Sequence, residues 1–283
     1  MKFYGIQNEV KSYINRLQSE QGIVVSSSAI KAINDRVESL KKSGVWSRFS
    51  LGFNDVDGDA YLSRAGVTDP LGRCEVLWFT RGMKALGLWQ NMVSWPMRSY
   101  QNIGTGATVY SLGGLGIYNG TLNNSPSWST NGINYTPNNS CMTQPYKLAS
   151  GRHTIFAAAY NGSIVANGQI YRITETGNLF HFWQRRSGVS PSFLSPNTDL
   201  TGYVNGSISS TMPVASFFTT AATTSRTFVT TIVNSCFGDP SNAQKWGDLG
   251  VFNSIINLEL STLQISLIHT LYKSTLGNGL GLP

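Results

Sequence analysis

Charge is what this chain has least of. Asp, Glu, Lys and Arg make up 12% of its 283 residues, about half the usual share. With 41% apolar residues available to bury, that balance excludes both a coiled coil and a charge-rich disordered chain. The net charge of +7 forms no basic block, since cations are adjacent only at Lys41-Lys42 and Arg185-Arg186. A nucleic-acid face needs its cations clustered, so nucleic-acid binding is not expected. No apolar run reaches the 18 residues of a membrane span, and the opening MKFYGIQNEVKSY lacks the apolar stretch of a signal peptide.

Chemistry-bearing residues are equally sparse. The three cysteines, Cys74, Cys141 and Cys236, form no Cys-x-x-Cys, which points to buried thiols rather than a zinc site or a disulfide framework. His153, His181 and His269 are the only histidines and no Gly-x-Ser-x-Gly occurs, so no nucleophilic triad is indicated. Between residues 101 and 258 the acids are Glu175, Asp199, Asp239 and Asp248. None forms the closely spaced carboxylate pair that glycoside hydrolysis uses. Asp55-Val-Asp-Gly-Asp59 looks like a calcium loop but has Ala60 where the turn glycine belongs and Gly66 where the bidentate acid belongs. The reading is a linker in which Asp57 or Asp59 caps the next helix, with no metal and no cofactor. Gly113-Gly-Leu-Gly116 lies between two predicted strands, which is the wrong context for a phosphate loop.

The residues present in quantity, 29 glycines and 32 aromatics, belong to a β protein with many turns. From about residue 102, short β-branched and aromatic runs alternate with turn pairs such as Asn119-Gly120, Asn131-Gly132 and Asn205-Gly206. Ten strands are predicted between Ala107 and Ile255, and no helix-length stretch separates them, so the expectation is a sandwich or barrel. The first hundred residues read instead as helical and repeated: LysLysSerGlyValTrp (41–46) and LysAlaLeuGlyLeuTrp (84–89) superpose at an offset of 43. We expect two tandem hairpin modules at about 8–49 and 59–96 within a helical region 1–100. Ile30, Ile33, Val37 and Leu40 form the apolar stripe of the first. In the second, Asp69 caps, Pro70 opens the helix, and Val76, Phe79, Thr80 and Met83 form the stripe. The sandwich is expected over 101–258. Residues 259–283 form a helix and tail, with Ser261 as cap and Leu263, Leu267, Ile268, Leu271 and Tyr272 on one apolar face.

Such a surface suits binding more than catalysis. Aromatic faces with amides and hydroxyls form a sugar-binding kit, and Trp183, Tyr203, Trp128 and Tyr160 are the glycan-binding candidates, each equally in demand for the core. Trp46, Trp89, Ile33, Val37 and Leu40 are the docking candidates of the hairpins.

Gly247-Asp-Leu-Gly-Val-Phe-Asn253 and Leu260-Ser-Thr-Leu-Gln-Ile-Ser-Leu-Ile-His-Thr-Leu-Tyr272 resemble the closing strand and helix of the laminin-G/concanavalin A-like jelly roll. Gly116 to Asn134 resembles its opening hairpin. Tyr61-Leu-Ser-Arg-Ala-Gly-Val-Thr-Asp-Pro70, Met83-Lys-Ala-Leu-Gly-Leu-Trp89 and the tail to Gly277 resemble concanavalin A-like virion proteins of tailed bacteriophages. The resemblance covers about residues 60–283. It implies a non-enzymatic virion protein assembled in the host cytoplasm, with other virion proteins and a second and third copy of itself as partners, and no membrane. It implies one of two roles: a tail-fibre adhesin touching host-surface glycan, or a capsid decoration subunit. A glycan-degrading enzyme of the same fold is the alternative from a different class.

Overall fold

The computed structural model describes residues 55–283 apart from 104–105, 136–139, 149–151, 163–167, 176–177, 187–188, 193–199, 210–212, 214, 225–230, 239–245 and 247. For 168–169, 172–175, 178–186, 189–192, 200, 224 and 231–234 it describes the backbone. The first hairpin, with Ile33, Val37, Leu40 and Trp46, lies outside the described residues.

The chain is mainly β, built as two antiparallel sheets with helices before and after them. Eight strands form one sheet. Its order is Ser207–Ile208, Leu200–Val204, Ser216–Thr224, His153–Asn161, Leu249–Ile256, Gly132–Asn134 and Ser127–Ser129, with Met92–Pro96 also paired to Leu249–Ile256. Seven strands form the other, in the order Val189–Ser192, Asn178–Arg186, Gly168–Glu175, Thr231–Cys236, Cys141–Gln144, Gly120–Asn123 and Thr108–Val109. Between the sheets lies a core containing Trp95, Tyr135, Tyr146, Tyr171, Phe237 and Trp246.

A second core lies on the outer face of the eight-stranded sheet, where the helices pack. Helix α1 (Val56–Arg64) starts at Asp55, whose carboxylate accepts from the N–H of Asp57 and of Gly58. The cap is thus neither of the predicted Asp57 and Asp59, which instead occupy the first turn, where a negative charge suits the helix dipole. Helix α2 (Pro70–Ala85) starts as predicted, with Asp69 as cap and Pro70 at the first position, and buries Val76, Phe79, Thr80 and Met83. Gly87, at φ +70°, ends it. The segment after this glycine departs from the predicted hairpin, because Met92–Pro96 is a strand of the sheet and not part of a helical module. All five of its residues are buried, and a strand covered on both faces shows no alternation to betray it.

Helix α3 (Thr262–Ser274) carries the predicted Ser261 cap, in a capping box with Gln264. Of the predicted face Ile268 and Tyr272 are buried and Leu271 packs partly buried on the same core, but Leu263 and Leu267 are exposed and Ile265 and His269 are buried in their place. The stripe Ile265, Ile268/His269, Tyr272 keeps the three-and-four spacing, and His269 finds polar atoms inside. Its Nδ1 lies 2.7 Å from Thr219 Oγ1 and its Nε2 lies 3.2 Å from the Pro283 carbonyl oxygen. Burial holds the imidazole below its ordinary pKa of 6.5, against the pull of the Pro283 carbonyl. The folded state therefore resists a proton that the unfolded chain accepts, and stability present above pH 6.5 is lost as the pH falls below it. Melting curves between about pH 7.5 and 5 should show this slope. A His269→Gln variant should flatten it, and an unchanged slope would remove His269 as its source.

The helical layer and the sandwich share one central strand. Along His153–Asn161, Ile155, Ala157 and Ala159 face the core between the sheets, and Phe156 and Ala158 face the helices. Arg98, Gln101 and Glu75 bind the tail to this layer. Arg98 Nη1 donates to the carbonyls of Leu276 and Asn278, Gln101 Nε2 donates to Leu276 O and to Glu75, and Asn278 Nδ2 donates to Glu75.

Among the described residues no helix is long and apolar enough to cross a membrane.

Candidate functional site

Among the described side chains the aromatic candidates do not meet. Trp128 sits on one edge strand of the eight-stranded sheet and Tyr203 near the opposite edge, while Trp183 belongs to the other sheet and its side chain lies outside those described. Tyr203 is 4% exposed, packed in the helix-facing core with its hydroxyl 3.4 Å from Thr262 Oγ1. It is a core residue and not a sugar platform. Trp128 is half-buried and its indole donates to Gly106 O at 3.0 Å. Tyr160 is half-buried, its ring 4.9 Å from that of Phe217. Trp89, the docking candidate within the described residues, is 3% exposed and belongs to the helix-facing core, so it presents no docking surface.

A concavity lies elsewhere, where α1 meets the loop after residue 111. It is a cleft of about 260 Å³ lined by Asp57, Ala60, Tyr61, Arg64, Trp89, Gln90, Leu112, the backbone of Gly113, Gly114 and Gly116, and Ile117. Helical spacing accounts for one wall, because Asp57, Ala60/Tyr61 and Arg64 fall three and four residues apart and so share a face of α1. The other wall is the glycine loop, moored by Gly114 N–H to Trp89 O at 3.0 Å and Leu115 N–H to Met92 O at 3.2 Å. Gly113 must be glycine: its φ is +149°, and a Cβ there would stand 2.2 Å from the Met92 carbonyl oxygen. The N–H groups of Gly113, Gly116 and Ile117 make no hydrogen bond among the described residues.

Lys84, in the last turn of α2, organises the acidic end. Its ammonium pairs with both Asp55 and Asp57 and lies 5.3 Å from the centre of the Trp89 ring. Burial pushes the Asp55 carboxyl up, but hydrogen bonds from Lys84 and from the Gly58 and Asp57 N–H groups outweigh it and leave the pKa below the ordinary value. Burial likewise works against the Lys84 charge, and the two carboxylates more than compensate, raising its pKa. At the other end Arg64 donates to the Ser111 carbonyl and lies 5.8 Å from the centre of the Tyr61 ring. The arrangement offers a carboxylate, a guanidinium, the Gln90 amide and backbone donors around a small polar space. Its rings are walls and not platforms, since Tyr61 and Trp89 are almost wholly buried. Among the described residues no cluster of His, Cys, Asp or Glu is arranged to hold a metal.

Sequence reasoning misses this site. It places Asp57 in a linker and sets the glycine loop aside for lacking a helix behind it. The available signal is that loop, Gly113-Gly-Leu-Gly116, dense in glycine without a turn pair to explain it.

No family model matches the chain, and no curated protein does. Among solved structures it is similar to two from Trypanosoma rangeli. One is a mutant sialidase displaying trans-sialidase activity, at 12% identity and a TM-score of 0.49. The other is the sialidase in complex with 2,3-difluorosialic acid as a covalent intermediate, at 10% identity and a TM-score of 0.44. Each match covers 74% of this chain and 40% of the other, so the chain spans about two fifths of the structures it resembles. These matches correct the expectation of a non-enzymatic virion protein. The structures resembled are sialidases, and the tail-fibre adhesin, the capsid decoration subunit and the exclusion of an enzyme are not carried further. At this identity and coverage no activity or substrate passes from the sialidases to this chain.

Proposed function

We propose that this chain belongs to a glycan-active protein and that the cleft between α1 and the glycine loop seats one sugar ring. The observation that carries the reading is the convergence of Asp57, Arg64 and Gln90 with the glycine loop on one cleft of about 260 Å³. Sugars present many hydroxyls in fixed directions, and a carboxylate, a guanidinium and an amide answer them with paired hydrogen bonds. The volume lies below the range of drug-sized pockets, which suits a single ring and not an oligosaccharide. Ile117, 62% exposed at the rim, with Ala60 and Leu112 supplies the small apolar surface that a ring's C–H face needs. Kinship with the concanavalin A-like jelly rolls is proposed on the same footing, supported by the two stacked antiparallel sheets.

The test is ligand-observed NMR on the full chain with a panel of methyl glycosides, run beside a glycoside-hydrolysis assay on the matching chromogenic glycosides. At least one glycoside should bind, and Asp57→Asn should weaken it by about tenfold or more, as loss of a charge-assisted hydrogen bond does. A panel without binders, or binding indifferent to Asp57→Asn, would overturn the assignment. Turnover of a bound glycoside would place the chemistry in this chain.

A further inference from the structure

The Asn-Gly pairs that mark turns in the sequence carry a chemistry of their own. They fall at Asn119, Asn131, Asn161, Asn167, Asn205 and Asn278, and Asn167 lies outside the described residues. A backbone nitrogen can attack the side-chain carbonyl of the asparagine before it, and a glycine, with no Cβ, leaves that nitrogen the least shielded. All but one of the described pairs are held by hydrogen bonds. Asn119 Oδ1 accepts from the Ser111 N–H at 3.1 Å, and Asn205 Oδ1 accepts from the Thr219 N–H at 2.9 Å. Asn278 Nδ2 donates to Glu75 at 3.3 Å. Asn161 is wholly buried, its Nδ2 donates to Pro213 O at 2.7 Å, and the nitrogen that would attack it, that of Gly162, donates to Asp248. Asn131 differs from them all. It is exposed, in the turn that joins Ser127–Ser129 to Gly132–Asn134, and its side-chain amide makes no hydrogen bond among the described residues. The fold also requires its neighbour to be a glycine, since Gly132 has φ +146° and a Cβ there would stand 2.5 Å from the Gly250 carbonyl oxygen.

We infer that Asn131 is a site of self-modification, the described Asn-Gly pair that the fold leaves open to deamidation. The Gly132 nitrogen gives up its proton and bonds to Cγ of Asn131, the Cγ–Nδ2 bond breaks, and Nδ2 leaves as ammonia with that proton. The product is a cyclic imide. Water then opens it at either carbonyl, to an aspartate or to an isoaspartate, so the net exchange is a water taken up for an ammonia released. The two products act differently on the turn. An aspartate adds a negative charge and keeps the path of the chain. An isoaspartate routes the backbone through the side-chain carbon and so lengthens it, where Gly132 packs against Gly250 O, Thr130 O accepts from Arg98 Nε at 3.2 Å, and the Ser99 N–H donates to Ser129 O at 3.0 Å. It loosens this end of the eight-stranded sheet, beside Arg98.

The experiment is peptide mapping by mass spectrometry of the full chain after incubation in mildly alkaline buffer, which helps the amide nitrogen lose its proton, beside a sample held in urea. In the folded protein Asn131 should convert at least about fivefold faster than Asn119, Asn161, Asn205 or Asn278, because each of those must first break a hydrogen bond. In urea the rates should converge, since the fold alone ranks them. Conversion at Asn131 no faster than at the others, or a ranking that persists in urea, would overturn the inference. The effect on the turn is read separately. Asn131→Asp should melt with the wild type, and the isoaspartate form, separated by ion exchange, should melt below both. An isoaspartate form that melts level with them would overturn the loosening of the sheet.

Discussion

Arg98→Met should cost the fold about 2–4 kcal/mol, since it takes a buried charged donor away from three carbonyl oxygens. Arg98 is 1% exposed and its charge is the one that favours ionised Glu75 in the interior. Three carbonyls depend on it: Thr130 through Nε, and Leu276 and Asn278 through Nη1. Met fills much of the same space, so the loss isolates the polar contribution, and Arg98→Lys should recover little because one ammonium cannot reach both sets of carbonyls. The carboxyl of Glu75 reports on the same cluster. Burial raises its pKa, opposed by Arg98 and by hydrogen bonds from Gln101, Tyr100 and Asn278. An acid so raised keeps its proton longer in the folded state than in the unfolded one. Its contribution to stability is therefore complete below the ordinary carboxylate range and declines as the pH rises through the folded value. In Arg98→Met that decline should be steeper. Urea titrations at several pH values measure both effects, and a loss under about 1 kcal/mol would contradict the role given to Arg98.

Gly113→Ala is expected to cost about 2–4 kcal/mol, from a backbone conformation that L residues avoid together with a collision that cannot relax. The new Cβ would stand 2.2 Å from the Met92 carbonyl oxygen and 2.8 Å from its carbon. Both are backbone atoms, so no side chain can turn aside. The loop must lift off Met92–Pro96, taking the neighbouring Gly114 and Leu115 anchors with it, and sugar binding should vanish even in samples that remain folded. Gly87→Ala is the control: its φ is also positive, +70°, yet nothing stands within 4 Å of the added carbon. It should lose about 1 kcal/mol and keep the ligand. Comparing calorimetric stability with binding in the two variants separates backbone strain from the cleft, and a Gly113→Ala protein that binds normally would refute the loop's part in the site.

Two of the three helix starts are readable from sequence because their signals are local. The Asp69 and Ser261 caps satisfy orphan N–H groups within one turn, and both stand where expected. The His153–Asn161 strand is equally plain, a run of nine residues with little else it could form. Harder cases are those decided by distant partners. Met92–Pro96 is a strand because Leu249–Ile256 lies beside it, across a register joining Met92 to Ile256, and no local pattern records that pairing. Leu263 and Leu267 face outward while His269 is buried with polar partners at Thr219 and Pro283, an exchange that hydrophobicity alone cannot foresee. The candidate site is the least legible of all. Its residues come from stretches near 57–64, 89–90 and 112–117, and nothing but the fold sets them round one space. Aromatic side chains draw attention in the sequence, and in the structure they are largely the material of the interior.

The run Ala157-Ala158-Ala159 has a consequence for how this protein can vary. These side chains alternate between two cores, so the thickness of the molecule on both sides of the strand is set by methyl groups. A larger residue at Ala158 presses on the helices, and one at Ala157 or Ala159 presses on the opposite sheet. Neither layer can drift in spacing without the other being felt through the same few atoms. Helix α1, which supplies Asp57 and Arg64, shares a core with Ala158 through Tyr61 and Leu62, so it is bound to the sandwich in sequence change as it is in space, and the cleft beside it inherits the constraint.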